Sequence, residues 1–350
     1  MGQFPSPSVD PRRTVRLWKR LLPPVTTVVI FFFIFQRIPF TKFIQALRGA
    51  DYVRFAILMV PNSLFYFGWD TLVLDIVLRW FHGPVRYREL LPVRAATYVA
   101  SLLNTQLARG TLAYYLTRQL RAPFFQLAST VLFMTLGEMT HLAIWATCGM
   151  LSFPRRVPKD LFWVPAGYVF FWLFFLLYAR LDFAPWRVLL SPLTRYVPSL
   201  RGRVRIREWS IFRTFAQAPV ERYVQFVLLR APMFLVSLFI HFLAVKTFGM
   251  NIPFGRMMAF LPIVFMLAAL PITVAHLGTT QAAWIFFFRD YAAGSQLLAF
   301  SLASHLAFSL TRGMLGLVFL PQAYKDLFGP LRPARLLTAS PPPPLHSANP

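Results

Sequence analysis

The chain is poor in cysteine, in acidic residues and in charge altogether. Cys148 is the one cysteine in 350 residues, so no intrachain disulfide and no Cys/His zinc cluster can be assembled. Asp and Glu number only 12, and no two of them form an Asp-x-Asp pair. That leaves little for a metal-assisted transferase site. No Gly-x-x-x-x-Gly-Lys-Ser/Thr loop occurs, which excludes energy coupling through a P-loop. Charged residues make up 14 % of the chain, where soluble domains carry about 25 %.

What is abundant is apolar. Hydrophobic residues are 57 % of the chain, with 38 phenylalanines. This composition predicts an all-α polytopic membrane protein. The net charge of +24 is then a topological signal rather than a nucleic-acid signal, because Lys and Arg collect in cytoplasmic loops and beside anionic lipid. Residues 1–20 form a basic tail, with Arg12, Arg13, Arg16, Lys19 and Arg20. Residues 326–350 form a Pro-rich tail that cannot bury a core. Between them lies one transmembrane domain, 21–325.

Apolar segments at 21–35, 55–78, 122–151, 161–178, 218–248 and 294–320 predict about six full spans. Two further apolar elements are interrupted by polar breaks. The first ends in Asn104-Thr105-Gln106-Leu107-Ala108-Arg109-Gly110-Thr111 and resumes with an apolar helix. The second, 254–291, is broken by Pro271, Thr273, His276, Gly278, Thr279, Thr280 and Gln281. It reads either as one Pro-kinked spanning helix or as two half-helices meeting at a polar break. Such a break is tolerated at membrane depth only inside protein or beside a polar cavity. A Gly-Thr at a half-helix start leaves N–H groups free and is a ready anion site.

Basic loops at 79–94 and 180–213 belong on the cytoplasmic side. With both termini also cytoplasmic and the 36–54 loop outside, each broken element must enter and leave by one face. The first opens to the cytoplasm and the second to the outside. The result is two re-entrant helical hairpins in an inverted repeat, with halves of about 21–151 and 160–321 joined near 152–159. That is a transporter layout.

The run Leu270-Pro271-Ile272 followed by His276-Leu277-Gly278, then a small-residue and aromatic helix, resembles the transmembrane region of the lysylphosphatidylglycerol synthases. That region belongs to a wider group of flippase-like membrane proteins. Pro271 and Gly278 match the pattern Leu-Pro-x-x-x-Gly-Gly-x-Gly-x-Arg-Glu. Ala275 and His276 replace its paired glycines, and Thr280 and Gln281 replace its Arg-Glu. The resemblance implies movement of aminoacylated phospholipids or polyprenyl-linked carriers between leaflets. The chain ends without the soluble domain of the lysyl-transferring enzymes, so lipid lysinylation is not expected.

The candidate substrate-binding residues are therefore Arg109, Gly110, Thr111, His276, Gly278, Thr279, Thr280, Gln281, Arg230 and Arg312. They would receive an anionic lipid head group on half-helix starts and guanidinium forks. Glu138 and His141 share one helix face and are the candidate proton relay; the alternative is a buried, mutually hydrogen-bonded pair. Asp70 is an ionisable group inside a span, where such groups normally face the protein interior. The expected protein is a non-enzymatic lipid transporter of the cell membrane with no cofactor, no metal and no nucleic-acid partner. Two other readings stay open: an integral-membrane head-group or glycosyl transferase, and a non-catalytic subunit of an envelope-biosynthesis complex.

Overall fold

Long apolar runs broken by proline and glycine become helices of unequal length in the computed structural model, which describes residues 11–103, 105–153, 159–163, 167–172, 174–175, 210–268 and 277–328. Among these residues the ordered elements are all helical. In chain order they are α1 (Pro11–Arg37), α2 (Phe40–Arg48), α3 (Tyr52–Phe81), α4 (Tyr87–Leu103), α5 (Thr105–Leu120), α6 (Phe124–Ser152), α7 (Arg213–Gln217), α8 (Val220–Ala244), α9 (Phe254–Ala268), α10 (Thr279–Phe288) and α11 (Gly294–Phe328). A turn of 3-10 helix, Val245–Phe248, extends α8.

The ends are set by local chemistry. The Asp51 carboxylate accepts from the Arg54 N–H and caps α3. Pro39, Pro123 and Pro219, all in extended backbone, stand just before α2, α6 and α8. A proline there lends its carbonyl to the first turn and has no N–H to leave unpaired. Arg121 closes α5 in the left-handed region, with φ 51°.

Four helices are long and apolar enough to cross a membrane, or five if α1 and α2, bent by 90° at residues 38–39, count as one span. The expected six is therefore met only in part. The segment predicted as a span at 161–178 is described only in pieces, and most of the 180–213 arginine-rich stretch, residues 269–276 of the Pro271 break, residues 1–10 and residues 329–350 lie outside the described residues; residues 11–20 of the predicted N-terminal tail belong to α1. The predicted external loop at 36–54 contains α2, an amphipathic helix that buries Phe43.

α3 and α8 run antiparallel, and their cross-contacts keep register. The Asp51 N–H donates to the Thr247 carbonyl at 2.9 Å, Asn62 donates to Ser237 at 3.4 Å, and the Trp69 indole donates to the Leu229 carbonyl at 2.7 Å. Two short-armed helix pairs flank this axis. α4–α5 starts just past the C-terminal end of α3. It returns to that same end, because His82 there meets Thr130 of α6 at 2.7 Å, and Thr130 meets Thr214 of α7 at 3.0 Å. α9–α10 starts just past the C-terminal end of α8. It returns to that end, because Gln296 of α11 donates to the Phe248 carbonyl at 3.1 Å. The first arm of each pair packs on the last long helix of the other half: α4 on α11 and α9 on α6. Both contacts are close enough to require glycine. A Cβ at Gly149 would overlap the Ala259 backbone, and one at Gly316 would overlap Val99 and the Ala95 carbonyl.

Two apolar clusters fill the two ends. One joins Met59, Phe248, Phe260, Trp284 and Phe300. The other joins Leu74, Leu116, Phe133, Phe215 and Phe226. The outward faces are equally apolar: Val28, Phe32, Leu310 and Val318 are all exposed, Val318 to 73 %. Side chains of this kind need lipid rather than water around them.

Candidate functional site

Between the two apolar clusters lies a cavity of about 350 Å³, within the range of small-ligand sites. Among the described residues eight helices line it, drawn from both halves of the chain. It has two unlike ends. Asp70, Arg94, Arg230 and Glu138 mark one, and Met59, His241 and Trp284 mark the other. Met59 lies three helical turns from Asp70 along α3, about 16 Å at ~1.5 Å per residue. The cavity is therefore amphipathic along its length.

At the charged end Asp70 is 1 % exposed. A carboxylate so buried in a span must be paired, and here it is paired twice. Arg230 of α8 donates to one oxygen at 2.6 Å. Arg94 of α4 donates to the other through Nε at 2.6 Å, and its Nη2 also meets it. The Tyr98 hydroxyl donates to Asp70 at 3.2 Å. Arg230 uses its second nitrogen on Glu138 of α6, whose carboxylate also accepts from Tyr66 at 3.4 Å. The network closes: every carboxylate has a cation, and the fork of Arg230 is spent on two carboxylates. Arg230 lines the cavity but has carboxylate partners in place of the head group expected for it.

Arg312 of α11 has another environment. Among the described residues it meets no carboxylate. Its guanidinium rests on three rings, 4.9 Å from the centroid of Tyr66, 4.5 Å from Tyr98 and 4.2 Å from Phe308. Its Nε is buried with no hydrogen-bond partner. Cation–π attraction holds the charge in place without neutralising it. Ser304, two turns earlier on the same helix, also lines the cavity, and its buried hydroxyl finds no protein partner.

The histidines of the cavity are oriented by their neighbours. The Trp145 indole donates to His141 Nε2 at 3.0 Å; an indole only donates, so the His141 proton sits on Nδ1. His241 Nδ1 donates to the Ser237 carbonyl at 2.7 Å, and its ring lies nearly parallel to Trp284. Glu138 and His141 are not bonded to one another. Each has other partners, though both line the cavity.

The remaining candidates divide cleanly. Arg109 and Thr280 line the cavity, one from α5 and one from α10. Gly110 and Thr111 do not. They were expected at a half-helix start, but α5 begins at Thr105 and runs through them. Their N–H groups are spent in the helix ladder, and the Thr111 hydroxyl donates back to the Leu107 carbonyl at 2.9 Å. Gly278 does cap a helix start: it has φ 94° and precedes α10. The anion role expected of its N–H is already taken, because that group donates to the Gln281 side chain at 2.6 Å. Gln281 is fully buried, and with Gly278 and Thr279 it lies off the cavity wall. His276 lies outside the described residues. Arg94, Tyr66 and Tyr98 were not singled out from sequence. The signal for Arg94 was the buried Asp70, which demanded a cation; Arg94 itself reads as one more loop arginine.

No group of three metal-ligating side chains occurs among the described residues. Neither a curated protein nor a solved structure shows a match to the chain. A family model does: residues 20–315 match the lysylphosphatidylglycerol synthase TM region. With apolar helices long enough to span a bilayer and most of its length matched, this chain is a multi-pass membrane protein that belongs to the lysylphosphatidylglycerol synthase transmembrane-region family.

Proposed function

We propose that the protein moves an anionic lipid between the leaflets of the cell membrane and catalyses no chemical change in it. The observation that carries this is the cavity. It is lined by both halves of the chain, its described wall holds more cationic than anionic groups, and it grades into an apolar end where the root of a lipid chain would sit. Arg312, Arg109 and Thr280 would meet the head group. Arg230, with Asp70 and Glu138, would set the field around it.

The layout supports alternating access. Each hairpin leaves and re-enters at one end of the α3–α8 pair, and the two hairpins do so at opposite ends. The reciprocal packing of α4 on α11 and of α9 on α6 fits two halves related by a twofold axis in the membrane plane. In that reading α4–α5 and α9–α10 are re-entrant. The end bearing Arg79, Arg86, Arg88 and Arg213 faces the cytoplasm, and both termini lie there. Glu138 and His141, on the cavity wall, remain the proton-relay candidates.

The test is purified protein in liposomes carrying a fluorescent anionic lipid, with a quencher added outside. Faster loss of inner-leaflet signal than in empty liposomes, with the lipid recovered unchanged, is the expected result. Recovery of a chemically altered lipid without movement would instead favour a head-group transferase. Neither movement nor change would end the transport reading and leave a non-catalytic membrane subunit.

A further inference from the structure

Three polar groups on the cavity wall have no hydrogen-bond partner among the described residues. Two can donate: the Arg312 Nε–H and the Ser304 hydroxyl. The third can only accept. His241 gives its Nδ1 proton to the Ser237 carbonyl. Its ring is packed by Phe265, Trp284 and Phe300. It meets no carboxylate among the described residues, so burial keeps it neutral. A neutral imidazole that donates through Nδ1 carries a lone pair on Nε2. No described side chain donates to that lone pair, although His241 is only 7 % exposed and lines the cavity. A buried acceptor left unmet is costly, and a bound donor would meet it.

The three groups follow one another along α11. The His241 ring stands beside Phe300, with centroids 6.3 Å apart. Ser304 is one turn on. The Arg312 guanidinium lies one turn further, 4.2 Å from the centroid of Phe308. A phosphate that accepts from both donors therefore lies one to two turns, about 5–11 Å along the helix, from the level of His241. With a hydrogen bond at each end, a hydroxyl two carbons from the phosphate ester oxygen covers that gap.

We propose that His241 reads a hydroxyl on the lipid, placed two carbons from the ester oxygen of a phosphate that Ser304 and Arg312 hold. This deepens the transport reading and rests on the same cavity. Such a hydroxyl occurs in two places: on a glycerol head group, or on the glycerol root of a lipid with one acyl chain. Either gives the same phosphate–carbon–carbon–hydroxyl unit. An ammonium at that position fits worse. A hydroxyl has one proton, which one acceptor satisfies; an ammonium has three, and a charge that a neutral imidazole does not balance. An alkyl arm has no donor and leaves Nε2 unmet. His241 thus determines specificity, while Arg312 supplies affinity common to every phosphate.

The experiment is native mass spectrometry of the full chain in detergent with two pairs of probes and a control. The first pair is dioleoyl phosphatidylglycerol and dioleoyl phosphatidylpropanol, which differ in the head-group hydroxyls. The second is 1-oleoyl lysophosphatidic acid and its analogue without the root hydroxyl. The control is dioleoyl phosphatidylethanolamine. In at least one pair the hydroxylated lipid should bind about tenfold tighter, the worth of one hydrogen bond. The pair that responds assigns the hydroxyl to head or root. In His241→Phe the preference should collapse to parity while the hydroxyl-free lipid binds as before, which also shows that the variant is folded. His241→Met, a more flexible replacement, serves the same purpose if the phenyl ring does not fit. Arg312→Gln should weaken both members of the pair and leave their ratio unchanged. Parity in both pairs, a preference that survives removal of His241, or tightest binding of the ethanolamine lipid overturns the proposal. Hydroxyl-selective binding without movement in liposomes would retain the role of His241 and sink transport. Movement without hydroxyl selectivity would do the reverse.

Discussion

Arg230 and Arg312 face one cavity and carry the same charge, yet they are held in opposite ways. Arg230 is clamped between Asp70 and Glu138, 3 % exposed, with a carboxylate on each side of its fork. Arg312 sits on three aromatic faces, with no carboxylate in reach among the described residues and one nitrogen unpartnered. A guanidinium saturated by carboxylates belongs to the architecture, because removing it takes an ion-pair partner from the buried Asp70 and from the part-buried Glu138. A guanidinium held only by ring faces keeps its charge available to whatever enters. The two should therefore respond differently to the same substitution.

The largest effect is expected at Arg230. Arg230→Met takes the ion-pair partner of Glu138 and leaves Asp70 with Arg94, and breaking a buried pair in this way costs about 3–5 kcal/mol. A thermal melt in detergent should show a large loss of stability, along with a poor yield of folded protein. A variant as stable as the parent would mean that the Asp70–Arg230–Glu138 network does not hold α3, α6 and α8 together.

Arg312→Ala separates stability from function. It forfeits cation–π contacts worth about 0.5–2 kcal/mol, so the melt should move modestly. Transport should nevertheless fall by an order of magnitude or more. If transport and stability fall in proportion, as at Arg230, the contrast between the two arginines fails.

A smaller effect sharpens a second contrast, between the two Gly-Thr motifs. Gly278 has φ 94°, and a Cβ there would stand 3.2 Å from Ile30 of α1. Gly278→Ala should destabilise by about 1–3 kcal/mol. Gly110 lies mid-helix with open space around it, so Gly110→Ala should gain about 0.5–1 kcal/mol. The paired melts read both signs at once, and equal losses would restore the equivalence expected of the two motifs.

The smallest effect is a pH dependence at the end of α3. Burial, with the Arg213 charge beside it, holds the His82 imidazole below its ordinary range. The folded state favours the neutral ring while the unfolded chain takes up a proton first, so this stability is lost as pH falls below about 6.5. Melts of the parent between about pH 7 and pH 5 should decline more steeply than those of His82→Gln. Parallel slopes would show that His82 titrates as it does in the unfolded chain.

Membrane class, helical architecture and the position of most long helices were legible in the sequence, because a bilayer demands long apolar runs and tolerates few charges within them. The start of α10 at Gly278 was legible for a local reason: a glycine at a polar break suits a backbone conformation that other residues resist. Arg109 and Thr280 were named from their place at the polar breaks, Arg230 and Arg312 from residue type within apolar spans, and all four line the cavity. The sequence could not say which of those arginines was already paired. That depends on Asp70, Arg94, Tyr66 and Glu138 arriving from α3, α4 and α6, and no local spacing records those contacts. The same holds for Gly110-Thr111 against Gly278-Thr279. The two dipeptides read alike, and only packing made one a helix interior and the other a helix start. Composition and periodicity act over a few turns of chain and determined what this protein is made of. Charge balance acts between helices distant in sequence, so the tertiary structure alone decided that carboxylates clamp Arg230 while aromatic rings hold Arg312.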